Sequence, residues 1–126
     1  MKFKIVWRRV RLARKKGGRP EYLKYKETAR LLVKTRIEHY NKLYGFTFNR
    51  IAIKNTKSRW GSASKKGNLN FNYKISLLEK QLADYVIVHE LCHLGEFNHS
   101  KKFWKLVALA VPHYKTLRKS FKNISL

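Results

Sequence analysis

Acidic residues are scarce in this chain. Asp and Glu together number 7, against 30 Lys and Arg, for a formal net charge of +23 over 126 residues. Self-repulsion on that scale opposes a compact state, and a polyanionic partner or bound counterions relieve it. Nucleic acid is the usual partner of such a surface, followed by an anionic membrane face or nucleotide phosphates. Cysteine is nearly absent too. Cys92 stands alone, which excludes an internal disulfide and fits a reducing compartment. No repeat or low-complexity linker divides the chain, and long apolar runs are missing. The stretch around Leu106 to Val111 is far short of the roughly 20 residues that span a bilayer. Met1 to Arg9 has no apolar stretch of signal-peptide length. The expectation is a cytoplasmic chain with no membrane partner. What is present is the material of one core: 44% hydrophobic residues and 13% aromatics, in a length that suits one domain.

Periodicity gives the elements. Up to Gly18, Phe3, Ile5 and Trp7 alternate with basic residues before the sequence turns almost wholly basic. That reads as a short strand and a basic loop, so residues 1–18 are a basic N-terminal segment and 19–126 the domain proper. Pro20 suits a first helical turn. Tyr25, Ala29, Leu32, Val33, Ile37, Tyr40 and Tyr44 then follow a 3.6-residue period that Gly45 stops. Lys24, Arg30, Lys34 and Lys42 form a basic stripe on the other face. The period next becomes two, at Ile51 and Ile53 and again at Leu69 and Phe71, with Lys65-Lys66-Gly67-Asn68 as a turn between. Trp60-Gly61-Ser62 falls in the strand entering that turn. A small antiparallel hairpin sheet of two or three strands is expected. The helical period returns from Glu79 through Leu82, Tyr85, Val86, His89 and His93 and breaks at Gly95. Ser100 stands where an N-cap belongs, ahead of Phe103, Leu106, Val107 and Ala110, and Tyr114, Leu117 and Phe121 line a last helix after Pro112. The order defines an α+β fold: N-terminal helix, hairpin sheet, then helices.

His89-Glu90-Leu91-Cys92-His93 carries the chemistry. Residues four apart on a helix lie about 40° apart around the axis and one turn along it, so both imidazoles address one point. Zn²⁺ takes imidazole nitrogen at about 2.0–2.1 Å, which that geometry supplies. Glu90, rotated by about 100°, stands beside the metal instead of on it, within reach of a water there. Histidines that are merely packed give the same letters. Tyr85-Val86-Ile87-Val88 before the motif argues against that, because an unpartnered ring in a buried helix is costly and a metal removes the cost.

A catalytic zinc takes a third protein ligand and keeps one position for water. His99 follows His93 by six residues, the spacing of H-E-x-x-H-x-x-G-x-x-H, with the glycine one position early at Gly95 and Glu96 in its place. A left-handed turn at Gly95 would swing His99 back to the metal. Glu96 is the competing ligand, and zinc's preference for nitrogen favours His99. His39 and His113 have no ligand spacing. Cys92 sits on the wrong face of the helix to close the site as a structural one. Neutral imidazoles leave the zinc its charge, a water at the fourth position is acidified, and Glu90 takes the proton as a carbonyl or phosphoryl centre is attacked. Tyr114, His113 and Arg118 are candidate donors to the oxyanion. The strand ending in Leu69-Asn70-Phe71-Asn72 is a candidate for pairing with an extended peptide. Trp60, Gly61, Asn72 and Tyr114 are the candidate substrate-binding residues.

Lys57-Ser58-Arg59-Trp60-Gly61-Ser62-Ala63-Ser64, Gly67-Asn68-Leu69-Asn70-Phe71-Asn72, Asp84 through His93, Asn98-His99-Ser100-Lys101-Lys102-Phe103-Trp104 and Pro112-His113-Tyr114-Lys115 together resemble the YgjP-like metallopeptidase family. The match runs in order from about Glu27 to Phe121. The resemblance implies a minimal zincin domain, related in shape to SprT-like proteases. It carries the ligands of one zinc onto His89, His93 and His99 and the base onto Glu90. Two departures accompany it. The β-rich N-terminal portion usual in the family is here little more than the segment before Gly18, and Ala63 stands where many members have Cys. Met1 is the only methionine, so a metzincin Met-turn is excluded.

The resulting expectation is a zinc metallopeptidase acting on peptide or protein, with nucleic acid or another polyanion as a further partner. SprT-like proteins suggest protein bound to nucleic acid as the substrate by analogy alone. The alternatives are a UTP-type pyrophosphatase, for which no G-x-x-x-x-G-K-[ST] loop exists here, and a nucleic-acid-binding module whose zinc does no chemistry.

Overall fold

The computed structural model describes residues 18–124, and the strand and basic loop expected before Gly18 lie outside the described residues. Helix α1 spans Arg19–Tyr44. Pro20 occupies its first turn, where a missing N–H costs nothing. Gly45 ends it in the left-handed region (φ 69°), its N–H donating to the Asn41 carbonyl at 2.7 Å. Ala29, Val33 and Ile37, four apart, are its buried stripe. Lys24, Lys34 and Lys42 lie on the exposed side, and Arg30 pairs with Glu27 at 2.9 Å.

Three short strands follow: β1 (Arg50–Lys54), β2 (Gly61–Ala63) and β3 (Asn68–Asn72), in the order β1-β3-β2. β2 and β3 are the expected hairpin, antiparallel with Gly61 opposite Phe71 and Ala63 opposite Leu69. β1 corrects the wholly antiparallel expectation. It runs parallel to β3, with Ile51 beside Leu69 and Ile53 beside Phe71, so the sheet is mixed. Alternation fixes which face of a strand is buried and is blind to its direction. The connection from Lys54 to Asn68 contains β2 itself and is long enough for the dozen or so residues that a parallel return needs.

A 3₁₀ turn over Tyr73–Leu77 leads to α2 (Lys80–Cys92), α3 (Lys101–Ala110) and α4 (Tyr114–Ser120), with a last 3₁₀ turn at Phe121–Asn123. Every residue of α2 from Leu82 to Cys92 is buried, as befits a helix enclosed on all sides. It packs against α1, β2, α3 and α4. Val86, Ile87, Val88 and Leu91 are fully buried in it, each contributing roughly 1.5–3 kcal/mol by leaving water. Its register against α1 is fixed by Arg36, whose Nε and a terminal nitrogen donate to the two Asp84 oxygens, both at 2.9 Å. The Tyr40 hydroxyl donates to the same carboxylate at 2.9 Å. Bonding to Asp84 holds the Arg36 guanidinium above its ordinary pKa. Ser100 caps α3, its hydroxyl accepting from the Phe103 N–H. Among the described residues no helix is long and apolar enough to cross a membrane.

Candidate metal centre

His89 and His93 project from adjacent turns of α2 with ring centroids 4.9 Å apart. His99 approaches from the loop before α3, its ring 5.1 Å from that of His89 and 4.7 Å from that of His93. The Nε2 atoms of His89 and His99 are 3.2 Å apart, and one ligand nitrogen from each of the three rings lies within 4.8 Å of the others. Tetrahedral zinc with bonds of about 2.0–2.1 Å separates its ligands by roughly 3.3–3.4 Å. The donor set and its spacing fit that ion. His93 Nδ1 lies 3.1 Å from the Glu96 carbonyl. A carbonyl only accepts, so Nδ1 carries the hydrogen and Nε2 offers its lone pair, the outer-shell arrangement usual for a ligand histidine.

The exit from α2 differs from expectation. Among the described residues glycine takes a positive φ at Gly45 and Gly67, and not at Gly95. The chain instead leaves through tightened turns, with Leu94 N–H donating to Leu91 and Gly95 N–H to Cys92, each at 3.0 Å. Gly95 is required for room: a Cβ there would stand 2.6 Å from Cζ of Phe46. Glu96 contributes its carbonyl, and its carboxylate is not part of the cluster of possible metal donors.

Aromatic rings enclose the histidines. Phe103 stacks on His93 at 4.3 Å and meets His89 and His99 edge-on at 5.1 and 5.0 Å. Trp104 stacks on His99 at 5.7 Å, Tyr114 stacks on Trp104 at 4.9 Å, and the Arg118 guanidinium lies 4.5 Å from the Trp104 ring centre. Burial, reinforced by the neighbouring imidazoles and Arg118, holds His89 well below its ordinary pKa. Burial likewise holds His93 down at about 3, and burial and then Arg118 lower His99. All three rings are therefore neutral near pH 7, the form that binds metal.

Glu90 is fully buried beside this cluster. It packs against β2 where Gly61 has no side chain. A Cβ on Gly61 would lie 2.9 Å from Glu90 Cγ and 3.1 Å from its Oε2. The glycine thus brings strand backbone directly onto the carboxyl group. Gly61, a candidate substrate-binding residue expected within a strand, makes a contact with Glu90 that the sequence pattern does not specify. The signal was a glycine inside a strand, which often marks a close approach. Phe103, expected only as an apolar position of the helix after Ser100, and Trp104 wall the histidines.

The other expected residues are placed variously. Trp60 is 2% exposed and packs edge-on to Phe121 at 5.8 Å, in the core. The Asn72 amide donates to Thr56 O at 3.0 Å and Thr56 Oγ1 at 3.1 Å, and its carbonyl oxygen accepts from the Lys74 N–H. Tyr114 joins the aromatic wall, while His39 and His113 are exposed. Cys92 is buried against α1, near Tyr44, and burial pushes its thiol up to about 12. β3 has neighbours on both edges, so it cannot receive a peptide strand. Among the described residues, the edge next to Glu90 that has no strand beside it belongs to β2.

A helix-borne histidine pair with a buried glutamate between, a third histidine from the following loop and a strand laid against the glutamate define a zincin-type metallopeptidase. The comparisons agree. The chain belongs to the YgjP-like family: the family model described as YgjP-like, metallopeptidase domain, matches residues 11–124. The crystal structure of the metallopeptidase zymogen of Pyrococcus abyssi abylysin is similar at a TM-score of 0.64 and 26% identity, over 70% of this chain and 90% of that one. The metallopeptidase zymogen of Methanocaldococcus jannaschii jannalysin shares the fold at a TM-score of 0.60 and 22% identity, over 70% of this chain and 91% of that one. No curated protein matches the chain.

Proposed function

We propose that this metallopeptidase hydrolyses peptide bonds with one zinc per chain held by His89, His93 and His99, and with Glu90 as general base. The observation that carries the reading is the convergence of three imidazole nitrogens within 4.8 Å beside a carboxyl group wholly shielded from water. When bound, zinc supplies Lewis-acid chemistry that acidifies water and polarises a carbonyl. Glu90 accepts the proton of the attacking water on its carboxylate and returns it to the departing amine nitrogen. His93, fixed by Glu96, and His99, fixed by Trp104, hold the ligand geometry. The free edge of β2 receives an extended peptide as an added strand. Arg118, whose charge reaches His89 and His99, and Tyr114, stacked on Trp104, are the donors assigned to the developing oxyanion.

The charge of +23 and the exposed α1 lysines favour protein bound to nucleic acid as the natural substrate, and the lone buried Cys92 suits a reducing compartment such as the cytoplasm. The test is cleavage of casein and of a DNA-bound protein by the zinc-loaded chain. Glu90→Gln should cut turnover by roughly 10²–10⁴-fold with zinc retained. Cleavage indifferent to Glu90→Gln would remove Glu90 from the chemistry, and phosphate release from nucleoside triphosphates in place of peptide cleavage would replace the reading.

A further inference from the structure

Between Glu38 and Glu79 the sequence holds no Asp or Glu, and every charged residue there is Lys or Arg. The three-stranded sheet lies wholly inside that interval. Among the described residues the ion pairs join Arg30 to Glu27 and Arg36 to Asp84, so none reaches the sheet. Two clefts open at opposite ends of β2. One, of about 450 Å³, is bounded by Lys54, Ser58, Arg59, Ser62 and Asn70 and abuts Gly61, the residue against Glu90. The other, of about 370 Å³, sets Lys65 and Lys66 beside Phe48, Leu94 and Phe97, and Phe97 stacks on His93 at 6.5 Å. Each cleft therefore borders a residue that packs against the metal site, Gly61 on Glu90 in the first and Phe97 on His93 in the second.

Successive residues of a strand point to opposite faces. The absent side chain of Gly61 points at Glu90, so Ser62 points to the other face, where its hydroxyl accepts from the Asn70 amide at 3.2 Å. A peptide added along the β2 edge alternates in the same way. Its side chains on one face meet the metal site, and those on the other pass Ser62 into the cleft between Lys54 and Arg59. Among the described residues no carboxylate pairs with those cations.

We propose that this cleft selects an anionic side chain, an Asp or Glu of the substrate next to the scissile bond, and that the enzyme acts on acidic peptide segments. The proposal rests on the peptidase reading and names its substrate class. Nucleic acid fits this cleft less well. Its one aromatic lining residue, Phe71, is fully buried, which leaves no ring for a base to stack on.

The test is fluorescence anisotropy on the zinc-loaded Glu90→Gln chain, so that the probe is not consumed. Three probes are compared: a labelled peptide with alternating Glu, its Gln counterpart, and a single-stranded oligonucleotide of equal charge. The acidic peptide should bind about tenfold tighter than the neutral one, the effect of two partly solvated charge pairs. The advantage should vanish in Lys54→Gln/Arg59→Gln, with neutral-peptide affinity unchanged, and should survive Lys34→Gln/Lys42→Gln on α1. Equal affinities, an acid preference that persists without Lys54 and Arg59, or an oligonucleotide that depends on those two residues and outcompetes the acidic peptide would each overturn the proposal. Binding is read apart from turnover. An acid preference in a wild-type chain that cleaves nothing would therefore defeat the peptidase reading alone, and cleavage without acid preference would defeat this one alone.

Discussion

Replacing Gly61 by alanine probes the contact that positions Glu90, the proposed base. The added methyl carbon would sit 2.9 Å from Cγ of Glu90, 3.1 Å from its Oε2 and 3.1 Å from the Asn70 carbonyl oxygen, where ordinary contacts begin at 3.4 Å. Asn70 is paired backbone of the central strand and cannot retreat, so the carboxyl group must yield by about half an ångström. Glu90 is fully buried, and a shift there costs roughly 1–3 kcal/mol of stability, as overpacking does. A misplacement of about 1 Å in a catalytic group costs roughly 10²-fold, so half that displacement should lower kcat by about tenfold or more. The three atoms nearest this methyl belong to Glu90 and Asn70 and none to a histidine, so zinc affinity should hold. The assay is kcat and KM on a cleavable peptide, beside zinc binding and a melting curve on the same preparation. Wild-type kcat in Gly61→Ala would refute the claim that β2 backbone positions the base, and loss of zinc would show that the damage is not confined to Glu90.

Asp84→Asn should destabilise the fold by about 2–3 kcal/mol, roughly 10 °C or more in Tm. It strands a guanidinium that is 19% exposed, short of the full cost of a wholly buried pair. Thermal unfolding checks it, and a change under about 0.5 kcal/mol, typical of a surface site, would contradict it. Gly95→Ala should cost about 1–3 kcal/mol through its clash with the Phe46 ring, and Phe46→Leu in the same chain should recover part of that. A double-mutant cycle measures the coupling, and strict additivity would mean that the glycine serves something other than this approach.

The residues that could hold metal were legible because their spacing is local. A four-residue interval on a buried helix fixes the directions of His89 and His93 whatever the remainder of the fold does. The elements were legible for the same reason, since period and punctuation by Pro20, Gly45 and Ser100 are near-neighbour signals. What could not be read depends on contacts distant in sequence. The parallel pairing of β1 with β3 leaves the alternation at Ile51 and Ile53 unchanged. Gly95 looked like a left-handed stop because glycine commonly is one, while the ring that needs its space, Phe46, is far away in the chain. Gly61 and Glu90 meet only once the hairpin has folded onto α2. The aromatic wall of Phe103, Trp104 and Tyr114 shares its helical period with ordinary core.

The most direct measurement is zinc K-edge X-ray absorption on the zinc-loaded chain and on His99→Ala, with metal content determined on both. The expected result is one zinc per chain, a first shell of three imidazole nitrogens and one oxygen at about 2.0–2.1 Å, and loss of one imidazole with weakened retention in His99→Ala. A two-imidazole shell in the wild type, a shell unchanged by His99→Ala, or a chain that keeps no metal would contradict it.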